Sequence, residues 1–434
     1  MTGRLMCSKA LPVVVFAALA LAALPSSASA SALFSRLSAE PTERRYAPAT
    51  ATLPDGNVLL AGGFTGLPEP PLGSAEMFNP TTGGFERLAG GGAQEMRESR
   101  GEAATVSLKD GDVLIAGGSH SPSYLKTAEL FNPGTDSFQL VQGHLVEERD
   151  GAAAALLPDG DVLIVDGCQK GLCGRTAEVF DPVTQTFSKL SSEPLQERYY
   201  SAAATLPNGD VLIAGGFQIG SNEPTRGAEI FNPRTEHFES VPGDSLMHEA
   251  RGELGAVTLQ DGDVLLVGGN AQHTLKTAEL FNTRANIFEP SPAELATDRE
   301  GPGVALLRDG RVLIDGGCQA IGCEKSAEIL SVNPPSRAST ARATRRTTHR
   351  ARINAVVEAE TNSTVYFQYG TSRRYHHRTR AQRVGGSTVP VSVSALLTRL
   401  TPGKRYHYRV VIENDAGKRY GADRSFVVPR RRRR

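Results

Sequence analysis

The chain has 434 residues, a formal net charge of zero, five cysteines and no tryptophan. After the first 30 residues no apolar run approaches membrane-helix length, which excludes a transmembrane segment from the mature chain. The neutral total hides a split, because residues 31–335 carry a net −20 and residues 336–434 a net +18. Such asymmetry predicts two regions with different surfaces, the basic one suited to an anionic polymer if it is more than a solvated face.

Arg4 and Lys9 precede an apolar run from Leu11 to Leu24, followed by Pro25 and Ala28-Ser29-Ala30. Charged, apolar and small residues in that order predict a secretory signal peptide over residues 1–30, and hence an exported chain. Cys7 lies before the apolar run, so it is not placed as a lipoprotein acylation site.

From Arg45 a pattern of about 50 residues recurs, beginning again at Arg100, Arg149, Arg198, Arg251 and Arg299. The fourth copy reads RYYSAAATLPNGDVLIAGGF, a variable loop, then GAEIFNPRTEHF. Each copy predicts four strands, here a to d. Strand a follows the Arg, b is the VLIAGG run, c is the AE-apolar-Phe segment, and d carries a second Phe. Asp-Gly or Asn-Gly between a and b (Asp55-Gly56 through Asp309-Gly310) predicts a type I′ hairpin turn. Asn-Pro or Asp-Pro between c and d is turn chemistry too. Six such units over residues 31–335 predict an all-β fold, a six-bladed β-propeller.

Copy six reaches AEIL at Leu330 and lacks strand d. Phe34-Ser35-Arg36-Leu37 matches Phe187-Ser188-Lys189-Leu190, with 11 positions from Phe to Arg in both. The first mature strand is therefore expected to complete the last blade and remove an open edge. Copies one and four, two and five, and three and six also share local sequence, so the ring reads as a doubled three-blade unit.

The glycine pair ending strand b, the aromatic of c and the second aromatic of d resemble kelch repeats over residues 33 to about 335. The chain has Phe where that family commonly has Tyr and Trp, as at Phe231 and Phe238. Strand parity puts the recurring Arg, the glycine pair and the Glu of strand c at one end of each blade. Strands a and c are roughly 10 Å apart, so buried pairs are expected across b. They are Arg45–Glu76, Arg100–Glu129, Arg149–Glu178, Arg198–Glu229, Arg251–Glu279 and Arg299–Glu328. Features present six times are scaffold. Function is sought on the variable b–c and d–a loops, which share the face opposite the short a–b and c–d turns.

Cys168 and Cys173 share one such loop, and Cys318 and Cys323 the matching loop three blades away. In an exported protein these predict local disulfides, Cys168–Cys173 and Cys318–Cys323, and opposite blades forbid a four-cysteine zinc site. Asp166 and Asp315 interrupt the glycine-pair region of the same two blades. They are candidate binding residues near the channel mouth, unless nearby arginines satisfy them. His120 and His273, in matching loops of blades two and five, are further binding candidates, though poorly placed for a metal. Tyr46, Tyr199 and Tyr200 read as core packing.

Residues 336–352 read as a basic linker. From Ile353 short strands return, and Leu400-Thr-Pro-Gly-Lys-Arg-Tyr406 resembles the tyrosine corner of fibronectin type III domains. With FQYGTS and NDAGKRYGADRSF, this predicts a bacterial fibronectin type III-like sandwich over 353–428, then an Arg tail over 429–434. The function expected is a secreted, non-enzymatic binding or scaffold protein that engages a protein or carbohydrate ligand through its loops. No cofactor, metal or catalytic residue is assigned. Specific nucleic-acid binding is not expected, since no aromatic platform accompanies the charge. A kelch ring followed by such a domain also resembles galactose oxidase, but the Tyr, His and Cys copper set of that family has no counterparts here. A sugar isomerase or hydrolase is the remaining alternative. Convergent ionisable residues in a concave channel mouth would favour an enzyme, and a flat rim would favour binding.

Overall fold

The computed structural model describes residues 34–430 except 67, 89–91, 121–122, 170–171, 174, 244, 292, 320–321, 332–336, 360–362, 386 and 415–416. Residues 1–30, read from the sequence as a signal peptide, with Cys7 among them, and Arg431 to Arg434 lie outside the described residues. Among those described, the fold is all-β, and no helix is long and apolar enough to cross a membrane.

Residues 34–330 form six four-stranded antiparallel sheets in a propeller-like arrangement. In the fourth, Ala202–Thr205, Val211–Ala214, Ala228–Asn232 and His237–Ser240 follow in chain order. The second strand of every sheet is fully buried, matching its unbroken apolar run. The first strands (Ala49–Thr52, Ala104–Ser107, Ala153–Leu156, Ala202–Thr205, Gly255–Thr258, Gly303–Leu306) touch one another in a closed cycle around a channel of about 600 Å³. Hydroxyls stitch neighbouring sheets there, as where Thr205 donates to Leu156 O at 2.7 Å and Thr258 to Thr205 O at 2.7 Å.

Five sheets pair the Phe of c directly with the Phe of d, with ring centroids 4.7–4.9 Å apart. In the remaining sheet Phe34–Arg36 supplies the outer strand, with Phe34 opposite Leu330.

The a–b turns differ from the expected type I′. Gly56 N donates back to Leu53 O (2.9 Å), Leu53 N closes on Asn57 O (2.8 Å), and Gly56 has φ +95° while Asp55 stays right-handed. This is a type I turn followed by a left-handed glycine, a three-residue hairpin loop. The three-residue loop selects it, because the turns with Lys109, Gln260 and Arg308 at the corner held here by Pro54 close the same way, as where Gly111 N donates to Leu108 O at 3.1 Å and Leu108 N to Asp112 O at 2.8 Å.

The stretch read as a linker contributes structure. Arg337–Thr344 pairs with Ala351–Ala359, which pairs with Ser387–Leu397 to make a three-stranded sheet. A six-stranded sheet around Ser363–Gly370 and Arg405–Asn414 shares one apolar cluster with it, including Ile353, Phe367, Tyr408, Val410 and Phe426. The Tyr406 hydroxyl accepts from Thr401 N at 3.2 Å. Arg284 Nη1 donates to Tyr420 O at 2.9 Å, and Arg419 lies 3.7 Å from Asp261, linking this part to the repeats.

Candidate functional site

Each recurring Arg is buried against the Glu of its own strand c. The separations are 2.7 Å for Arg45–Glu76, 3.1 Å for Arg100–Glu129, 3.0 Å for Arg149–Glu178, 3.1 Å for Arg251–Glu279 and 2.7 Å for Arg299–Glu328, and Arg198 bonds Glu229 likewise. Backbone donors complete the glutamates: Val146 N and Glu147 N, for instance, reach Glu178 at 2.7 and 3.1 Å. The glycine pair does more than clear room between Arg and Glu. Gly62 and Gly63 have φ of 63° and 81°, and Gly63 N donates to Arg100 O of the next sheet at 2.9 Å. A Cβ on Gly62 would lie 2.2 Å from that carbonyl. Gly317 N makes the same bond to Arg45 O at 2.8 Å, joining the last sheet to the first.

Two residues after each Arg, the chain turns left-handed. Ala47, Glu102, Gly151, Tyr200, Glu253 and Gly301 have φ between 48° and 62°. Their backbones form a closed ring of hydrogen bonds. Ala47 donates to Gly301 (2.9 Å), Gly301 to Glu253 (2.8 Å), Glu253 to Tyr200 (2.9 Å), Tyr200 to Gly151 (2.8 Å), Gly151 to Glu102 (3.1 Å) and Glu102 to Ala47 (3.1 Å). Four of the six are not glycine, and each such residue held left-handed costs about 1–3 kcal/mol, strain that tends to cluster at functional sites.

This ring floors a cavity of about 130 Å³ at the d–a loop end, walled by Tyr46, Glu102, Tyr200 and Glu253. Glycines make room for its rings: a Cβ on Gly151 would meet Tyr200 at 2.3 Å, and one on Gly301 would meet Tyr46 at 2.5 Å. Asp150 and Glu300 stand beside the walls. The Tyr200 hydroxyl donates to Asp150 Oδ2 at 3.2 Å and Asn270 donates to Glu300, while Glu102 neighbours Asp150 and Tyr46 neighbours Glu253. Burial, then the neighbouring Glu300 charge, pushes the Glu253 carboxyl up to about 8. Burial also raises Glu102, Asp150 and Glu300, and it drives the Tyr46 and Tyr200 hydroxyls well above the usual phenol range. At neutral pH the Glu253 carboxyl is therefore mostly protonated.

Asp166 and Asp315 do not reach this mouth. Both are buried in the arginine belt, where Asp166 Oδ2 accepts from Ser201 at 2.6 Å and lies 3.4 Å from Arg198. Asp315 sits between Arg45 and Arg299, and burial followed by the Glu76 charge raises it to about 8. His120 is exposed, with Nδ1 2.7 Å from Ser99 O, and His273 is exposed in the matching loop of another sheet, so the two are not brought together. Cys318 and Cys323 are disulfide-bonded within one loop hairpin, and Cys168, also disulfide-bonded, lies opposite Cys173 in register.

The residues that do converge include Tyr46 and Tyr200, which the sequence reading had assigned to the core. Glu102 and Glu253 sit in an Arg-Gly-Glu shared by copies two and five, which in the sequence shows only the symmetry of the repeats. Asp150 and Glu300 follow the recurring Arg directly, where copies two and five have glycine. A column of acidic and phenolic residues one or two places after an invariant scaffold Arg was the available signal.

Among solved structures the chain is similar to that of YjhT, with a TM-score of 0.54 and 14% identity, over 66% of this chain and 94% of that one. At that identity the likeness is one of fold. No protein-family model and no curated protein matches the chain.

Proposed function

We propose that this chain is an exported binding protein. In this reading the repeats are a six-bladed kelch-type propeller sealed by its N-terminal strand, and the C-terminal part is a fibronectin type III-like sandwich. The loop face holds a protein or glycan ligand, and the pocket of Tyr46, Glu102, Tyr200 and Glu253 anchors it. The observation carrying this is that one concave site at the loop face draws residues from all six repeats.

Convergent ionisable groups in a cavity would also suit an enzyme, and a raised carboxyl such as Glu253 could serve as a general acid there, so the fate of the bound ligand decides between the two readings.

Glycan arrays and cell-surface binding with the exported chain test the reading. Saturable binding is expected, weakened at least about tenfold by Tyr200→Ala on the scale of a lost aromatic anchor, with the ligand recovered unchanged. Recovery of a cleaved, oxidised or isomerised product would overturn it.

A further inference from the structure

The chain treats its buried carboxylates in two ways. The six strand-c glutamates each receive an arginine and at least one backbone N–H. At the channel mouth that provision stops. Glu253 lines the cavity, yet its solvent-shielded Oε2 has no hydrogen-bond partner. A buried acceptor left unpaired costs about 1–3 kcal/mol. Among the described residues, no arginine or lysine lines the cavity.

What is missing there is a positive charge that carries N–H donors. Aromatic side chains frame the place for one. Tyr46 and Tyr200 line the wall and can face a cation with their rings, and Tyr124 and Tyr199 are close enough to interact with the pocket acids. The volume of about 130 Å³ admits one small head group. A hard dication would seek six or more oxygen ligands, and no cluster of three or more His, Cys, Asp or Glu placed to hold a metal occurs among the described residues.

We propose that this pocket binds a primary ammonium group, held by the Glu253 carboxylate and faced by Tyr46 and Tyr200. This rests on the reading of the loop face as a binding surface and names the chemistry it recognises. Binding exchanges protons: the neutral acid gives its proton to solvent and its carboxylate accepts from the incoming ammonium, so one cation enters as one proton leaves. The groups facing Glu253 are Glu300, Tyr46, Glu102, Asp150, Tyr199 and Tyr200, all acids. None competes with the ligand as a cation.

Titration calorimetry of the exported chain with n-butylammonium at pH 6, 7 and 8 tests this, since an alkylammonium stays charged throughout. Affinity is expected to rise by up to about tenfold per pH unit for each proton released. The apparent enthalpy should vary with the ionisation heat of the buffer. Choline, which lacks N–H donors, should bind at least about tenfold more weakly, one hydrogen-bonded charge being worth that much, and 1-butanol should not bind. Glu253→Gln should reduce n-butylammonium affinity at pH 8 and flatten its pH dependence, and Glu300→Gln, the second variant if the first does not fold, removes a charge that raises Glu253 and should move the rise in affinity to lower pH. Equal binding of n-butylammonium and 1-butanol, equal binding of choline, or an affinity independent of pH would each overturn the proposal. If amines fail while a protein or glycan still binds the loops, this inference falls and the binding reading stands. A chemically converted ligand would remove the binding reading itself.

Discussion

Arg100 and Glu129 show what one repeated pair does for the ring. Both side chains are fully buried, Arg100 Nη1 also donates to Gly117 O at 2.9 Å and Thr127 O at 2.8 Å, and Glu98 N bonds Glu129 at 3.0 Å. The pair therefore ties strands a, b and c to the incoming loop. Glu129→Ala strands a buried guanidinium and is expected to cost about 3–5 kcal/mol in urea unfolding. The double change Arg100→Met with Glu129→Leu should recover more than half of that, because an apolar pair leaves no charge unpaired. A double variant no more stable than Glu129→Ala would show that the backbone bonds, not the charge pair, matter.

At the scale of the element, the strand Phe34–Arg36 closes the cycle of sheets. It lies opposite Leu330, Ile329 and Glu328, and Phe34 packs with Val312, Ile314 and Leu265. Two losses are separable here. Phe34→Ala keeps the edge covered but empties a core slot, so stability should fall by about 3–5 kcal/mol with the chain still monomeric by size exclusion. Deleting residues 34–37 bares the edge of Ala327–Leu330, and self-association is expected as well. A deletion variant that stays monomeric would mean the exposed edge is protected in another way. The missing fourth strand of copy six and its match at Phe34 were both legible in the sequence, because each strand carries its own aromatic signature. The turn type was not. Loop length outweighed the Asp-Gly signal, since three residues rather than two separate the paired strand ends, and composition does not say where pairing stops.

For the molecule as a whole, buried acids set the pH response. Glu253 and Asp315 are each raised to about 8, mainly by burial. A carboxyl whose folded affinity for the proton exceeds its unfolded one contributes stability fully below about pH 4, and this is lost as pH rises through about 8. The acids held low, such as Asp309 and Asp423, act instead at the acidic end. Tm is therefore expected to be lower at pH 9 than at pH 6, and the difference should shrink in Asp315→Asn. A Tm unchanged between pH 6 and 9 would contradict protonated burial of these groups.

The sequence by itself determined the repeat, its four-strand units and the strand that completes the last sheet. Apolar runs, turn residues and paired aromatics are local and recur in register. It also carried the arginine and glutamate that meet across each sheet, since strand parity alone places them at one end. Only the tertiary structure decided where chemistry gathers. Glu102, Asp150, Tyr200, Glu253, Glu300 and Tyr46 come from six different repeats, and a closed hydrogen-bonded ring of left-handed residues draws them around one cavity. Asp166 and Asp315, the conspicuous exceptions in the sequence, were drawn into the arginine belt instead, because the nearest positive charges to a buried carboxylate there belong to the scaffold.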